Sequence, residues 1–190
     1  MKKWYFLMLL ASFCVLPCKA QKKPAVVILT AGQSNTDGRV SNKDLPAEIK
    51  KDKYQYCQWS FGSSSQLSEG YDIKLMLWHQ GESDRQQAQN YYHNLKQVIS
   101  YVRQYLVEKT GKKKYAQLPI VLGGIAHQSK QWSQGVEDAQ KKLANEDANI
   151  YLVEVPNASL GSDVLHFNAE GATELGTKMY QLIKRKKLLK

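Results

Sequence analysis

Val26-Val27-Ile28-Leu29-Thr30-Ala31-Gly32-Gln33-Ser34-Asn35 is the stretch on which the reading of this chain turns. Four consecutive large apolar residues, three of them β-branched, predict a short strand buried on both faces, as strands of a parallel sheet are. The small polar run behind them predicts a tight turn at the strand's carboxyl end. In open α/β sheets ligands bind beyond the carboxyl ends of the strands, so a rigid element presents Ser34 to a cleft. Taken alone, Gly32-Gln33-Ser34-Asn35 would pass for an ordinary polar turn. The remainder of the chain changes the odds.

Downstream, strand and helix signals alternate. Ile73–Trp78, Pro119–Gly123 and Ile150–Val155 are further apolar runs. Between the first two of these, Ala88, Tyr91, Tyr92, Leu95, Val98, Ile99, Val102 and Leu106 recur at the spacing of a helix with one buried stripe. Asp84 with Gln87 reads as a capping box for that helix, and Gly111 as its stop. Val136, Ala139 and Leu143 mark a shorter helix. Asn168 opens a last one carrying Ala172, Leu175, Met179, Leu182 and Ile183. Such alternation implies right-handed crossovers and a mostly parallel sheet covered on both faces: a three-layer α/β/α sandwich. Residues 36–72 break the pattern, with Pro46, Gly38, Gly62, Gly70 and Ser63-Ser64-Ser65, and only a short helix over 44–51 suggested. So long a stretch with little regular structure points to function or to disorder.

Met1–Ala20 has two early lysines, an apolar run from Trp4 to Leu16 and a small residue at its end, the pattern of a secretory signal peptide. Residues 21–190 then form one domain, exported to the periplasm or the exterior. A lipid anchor at Cys18 is disfavoured by Pro17 before it. Loss of Lys2, Lys3 and Lys19 with no acid lowers the formal charge from +10 to +7. Lys112-Lys113-Lys114 and Lys184-Arg185-Lys186-Lys187 hold much of the excess. The first flanks Gly111 and the second ends a helix, where cations suit the dipole, and no aromatic-interleaved basic stripe accompanies them. A nucleic-acid partner is therefore not expected, nor a membrane one beyond export. Cys57 is the lone cysteine after the leader, which excludes an intramolecular disulfide framework and a cysteine-based metal site.

Two further segments carry chemistry. Trp78-His79-Gln80-Gly81-Glu82-Ser83-Asp84 sits at the carboxyl end of the second strand, where a helix start offers unpaired N–H groups to developing negative charge. Gln80 and the Gly81 N–H are oxyanion-donor candidates there, although a capped helix with a glycine for close packing would explain the segment alone. Asp163-Val164-Leu165-His166 lies just before the last helix. A serine nucleophile needs a base and an acid to orient that base, and a carboxylate three residues from an imidazole on one loop supplies both. By itself such a histidine is more often a surface or cap residue.

Serine after the first strand, Gln-Gly-Glu after an inner one and Asp-x-x-His before the final helix is the block order of the SGNH/GDSL-like hydrolases. Gly32-Gln33-Ser34-Asn35, Trp78–Asp84 and Asp163–Phe167 together resemble the sialic acid-specific acetylesterase and acetylxylan esterase branch of the carbohydrate esterases, from about Ala25 to Tyr180 apart from the middle. The resemblance implies Ser34 as nucleophile, His166 as general base and then acid, and Asp163 as its orienting partner. It implies oxyanion donors in the Ser34 and Gly81 N–H groups and the Gln80 amide, with Glu82 fixing the loop by hydrogen bonds. An acetylated carbohydrate is the implied substrate, and neither metal nor organic cofactor is required.

The chain departs from that branch in the middle. Its members carry another strand and a glycine-containing turn between the serine turn and Gln-Gly-Glu, whereas here Ser34 and Gln80 are 46 positions apart and only Gly62 offers itself as the missing glycine. The chain is then either a minimal esterase or an internally shortened relative missing one sheet strand, with a depleted pocket and an exposed sheet edge in the second case. Three readings stay open: a carbohydrate O-acetylesterase, with Trp59 and Trp132 as sugar-facing or packing residues; a shortened, non-catalytic or weakly active carbohydrate-binding relative; and an esterase of the same machinery acting on a non-sugar ester.

Overall fold

The computed structural model describes residues 24–37, 44 and 71–190. The leader, the 44–51 helix, Cys57, Trp59 and Gly62 lie outside the described residues, Asp44 excepted. In chain order the elements are β1 (Ala25–Gly32), α1 (Ser34–Asp37), β2 (Tyr71–His79), α2 (Ala88–Thr110), β3 (Ile120–Gly123), α3 (Gln134–Glu146), β4 (Ile150–Val153) and α4 (Ala169–Lys186). Turns of 3-10 helix at Glu82–Gln87 and Lys113–Gln117 flank α2.

The four strands pair in parallel in the order β1-β2-β3-β4. Each step runs in the same direction across the sheet, so crossovers of one hand put α2 and α3 on one face. There Tyr91, Leu95 and Ile99 of α2 and Val136, Ala139 and Leu143 of α3 pack on Ile73, Met76, Ile120, Leu122 and Ile150. On the opposite face Leu175, Met179, Leu182 and Ile183 of α4 close over Leu75, Val121 and Val153. The chain is therefore an α/β sandwich of three layers, with β3 buried along its whole length. A bulge adjusts β2: Val27 pairs with Ile73 but Ile28 with Leu75, leaving Lys74 as the extra residue. The shift lets Ile73 and Met76 share a face although they are three apart.

Two expectations are corrected here. β1 is not buried on both faces. Val27 and Leu29 pack under the α2/α3 side, while Val26 and Ile28 are 56% and 40% exposed. The reason is geometric: α4 lies over β3 and β4, and α1 has only four residues, so among the described residues nothing covers the far face of β1, the edge strand. The Asp84/Gln87 capping box is also absent. The chain passes through the Glu82–Gln87 turn first, and Gln87 caps α2 without a side-chain bond. The other helix signals match the structure. Gly111 takes the left-handed conformation at the end of α2, and the Asn168 side chain accepts the Gly171 N–H at the start of α4. The lysines after Gly111 are spent locally, Lys112 on the Tyr71 carbonyl and Lys114 on Asp72, at the end of the sheet away from Ser34.

Candidate active site

Three loops meet at the carboxyl edge of the sheet. The first follows β1. Gly32 is required there because a Cβ would lie 2.0 Å from the His79 carbonyl oxygen and 2.1 Å from Thr36 Oγ1. That close approach lets the Gln33 N–H and the Thr36 hydroxyl both donate to the His79 carbonyl, at 3.3 and 2.8 Å, stapling the end of β1 to the end of β2. Ser34 opens α1 just behind the staple.

The loop before α4 brings the histidine. The Asp163 carboxylate takes three hydrogen bonds: Oδ1 accepts from Leu165 N at 2.9 Å and His166 N at 3.0 Å, and Oδ2 faces His166 Nδ1 at 2.6 Å. Donation from the His166 ring, then from the backbone N–H groups of His166 and Leu165, holds the Asp163 carboxyl down at about 2. An ionised carboxylate can only accept, so Nδ1 carries the proton and Nε2 presents a lone pair. That lone pair lies 2.8 Å from Ser34 Oγ. Ser34, His166 and Asp163 thus touch in series, the arrangement in which an imidazole can withdraw a hydroxyl proton. The loop is braced by Gly161 N on the His166 carbonyl at 2.8 Å and by the Leu160–Phe167 bridge, and it places Val164 at φ 54.

The Trp78–Asp84 segment supplies the third loop. Gly81 has φ 141, and a Cβ there would come within 2.6 Å of Val136 Cγ1 in α3, so only glycine fits. The Gln80 side-chain amide donates to the Asp84 carboxylate, while its backbone carbonyl accepts the Tyr91 hydroxyl at 2.7 Å. An amide has two hydrogens, so one remains for another acceptor. Burial pushes the Tyr91 hydroxyl up to about 12, and it stays a neutral donor. Glu82 is 2% exposed. Its Oε1 accepts from Asn35 Nδ2 at 2.9 Å, and Asn35 Oδ1 accepts the Phe167 N–H at 3.0 Å. Burial works against the Glu82 charge, but His79 and Asn35 outweigh it and hold the carboxyl below its ordinary value.

Asn35 and His79 were not singled out in the sequence, although each stands beside a motif residue, next to Ser34 and Gln80 respectively. Trp132 is half-buried against the His127 ring, and its indole N–H donates to Glu137 at 3.0 Å. The His166 and Asp163 side chains are 23% and 50% exposed, so the rim is open. Two surface depressions, one along α4 and one along α2, contain none of the three residues in series. Among the described residues no group of three or more His, Cys, Asp or Glu could hold a metal, and no helix is long and apolar enough to cross a membrane.

A parallel sheet flanked by helices, with a serine and a histidine meeting at its carboxyl edge, is the frame of the SGNH-like hydrolases. Residues 50–185 match the family model described as carbohydrate esterase, sialic acid-specific acetylesterase, and the chain belongs to that family. The matched span contains the Trp78–Asp84 and Asp163–Phe167 segments and begins after Ser34, which is joined to them by the hydrogen bonds above. A 1.6 Å X-ray structure of a protein from Arabidopsis thaliana is similar at 30% identity and a TM-score of 0.50. The similarity covers 61% of this chain and 46% of that one, so the chain spans less than half of that relative's length. No curated protein matches.

Proposed function

We propose that the protein is an exported carbohydrate O-acetylesterase working through a serine acyl-enzyme. The observation that carries the reading is the series from Ser34 Oγ to His166 Nε2 at 2.8 Å and from His166 Nδ1 to Asp163 Oδ2 at 2.6 Å. Ser34 Oγ attacks the acetyl carbonyl carbon while its proton passes to His166 Nε2. The bond to the sugar oxygen then breaks, and the sugar leaves as an alcohol with the proton from His166. Water, deprotonated by the same ring, attacks the acetyl-enzyme, and acetate departs as Ser34 recovers its proton. Asp163 keeps the ring in the required tautomer and stabilises the imidazolium. The Ser34 and Gly81 N–H groups and the uncommitted Gln80 amide hydrogen are the proposed oxyanion donors. Loss of one such donor typically costs about a hundredfold or more in turnover.

The test uses purified protein with 4-nitrophenyl acetate beside Ser34→Ala. Hydrolysis by the wild type that falls to background in the variant supports the reading, and equal rates overturn it in favour of a carbohydrate-binding or inert relative. Acetate release from acetylated xylan or acetylated sialic acid then supports a sugar substrate, whereas turnover of the chromogenic ester alone points to a non-sugar ester. Export rests on the pattern of Met1–Ala20. A secreted product whose first residue is Gln21 supports it, and an intact Met1 overturns it.

A further inference from the structure

His79 is 4% exposed, and nothing in the reaction above uses it. It is the last residue of β2, one residue before the proposed donor Gln80. Its ring is tightly seated: a Cβ on Gly123 would lie 2.8 Å from His79 Nδ1, and the Phe167 ring centroid is 5.3 Å from its own. Nδ1 stands 3.1 Å from the Gly123 carbonyl oxygen. A carbonyl only accepts, so Nδ1 carries a hydrogen. On the far side Nε2 stands 3.2 Å from Glu82 Oε1, both side chains being almost wholly shielded from water.

Nε2 and Oε1 are both electron-rich, and shut away from water at that distance they repel unless one further proton sits between the ring and the carboxylate. Among the described residues Nε2 has no hydrogen-bond partner, so charge attraction, which tolerates angle, is what holds the contact. Among the described residues two other titratable groups lie close by. Tyr91 is a neutral hydroxyl donating to the Gln80 carbonyl, and the Asp84 carboxylate is engaged by the Gln80 amide. Neither competes for Glu82.

Glu82 Oε1 is also the acceptor for Asn35, and Asn35 takes the Phe167 N–H. Asn35 adjoins Ser34 and Phe167 adjoins His166, so the buried pair stands one hydrogen bond behind Asn35, which ties together the two segments that bring hydroxyl and imidazole together. We propose that His79 is a positioning residue: its buried imidazolium, fixed to the Gly123 carbonyl, holds the Glu82 carboxylate as the anchor through which Asn35 sets the distance between Ser34 and His166. The inference rests on the roles proposed for Ser34 and His166, and it adds a charged clamp beneath them.

The full-length protein is tested with 4-nitrophenyl acetate after Ser34→Ala has been compared with the wild type. Equal rates in those two would sink the esterase reading and this one with it. Given an active wild type, His79→Asn keeps a donor for Gly123 but abandons Glu82. It is expected to lower kcat about a hundredfold, the effect of roughly an ångström of misplacement, with KM within about threefold and an unchanged circular dichroism spectrum. His79→Gln can still reach Glu82 and should lose clearly less. A folded His79→Asn with wild-type kcat overturns the proposal, as do equal losses in the two variants. Should His79→Asn not fold, side-chain 15N NMR of the wild type decides at neutral pH: two protonated ring nitrogens on His79 support the ion pair, and one refutes it.

Discussion

At the level of single residues, Asp163 uses one carboxylate for three hydrogen bonds and so sets both the orientation of the His166 ring and its tautomer. Replacing it with asparagine keeps the shape but allows the wrong nitrogen to carry the proton. For Asp163→Asn we expect kcat on the order of ten-thousandfold lower, with a near-native melting curve, measured by ester hydrolysis and calorimetry. Because the Asp163 carboxyl is held at about 2, it stays ionised throughout the range in which an imidazole titrates. Protonation of Asp163 should therefore put no inflection in the pH–rate profile near pH 4, and an inflection there would contradict the assignment. Val164 is under backbone strain: β-branched, 37% exposed and at φ 54. Little burial offsets the cost of that conformation, so Val164→Asn is expected to stabilise the fold by about 1 kcal/mol, read from a urea titration. These details show what a sequence can carry. Asp-x-x-His and the serine turn pointed to a hydroxyl, an imidazole and a carboxylate on one rim, where the three side chains now lie in contact. The clamp of His79, Glu82 and Asn35 was hidden because Asn35 lies 44 and 47 positions before the other two and meets them only once the sheet has formed.

Among the elements, β1 and β2 show how far local pattern reaches. Apolar runs announced both strands, and the 3.6-residue rhythm of α2, α3 and α4 announced the helices that cover the sheet. What the run of β1 did not carry was its place at the edge of the sheet formed by the described residues, since four apolar residues look the same whether or not a helix lies over both faces. The difference is measurable. Leu75 of β2 is wholly buried under α4, and Leu75→Ala should cost about 3 kcal/mol with some loss of cooperativity. Val26→Thr, at a position 56% exposed, should change stability by less than about 0.5 kcal/mol. Gly81 lies at the other extreme. With φ 141 and Val136 Cγ1 2.6 Å from any added Cβ, Gly81→Ala must displace α3 or the Gln80–Glu82 turn, so it is expected to depress both the denaturation midpoint and ester turnover.

Across the whole molecule, several carboxylates are held in their charged form by partners that exist only in the fold. Asp72 is held at about 2 by Lys114 and then Lys74. Glu137 reaches about 2 as well, where burial pushes it up but Lys141, Trp132 and His127 more than compensate. Both sit below their unfolded values of about 4, so their contribution is complete above that pH and is lost as the pH falls from about 4 toward 2. The melting temperature should be level near neutrality and decline steeply in that acid window; a flat profile down to pH 2.5 would argue against these pairings. A last consequence follows from the Ser34–His166 contact, which joins residues 132 positions apart at opposite ends of the described chain. Closing so long a span costs entropy that must be met before the contact forms, so renaturing protein should recover its helical signal first and hydrolytic competence later. Enzyme assay during renaturation would then time the final docking of α4 and the loop that precedes it.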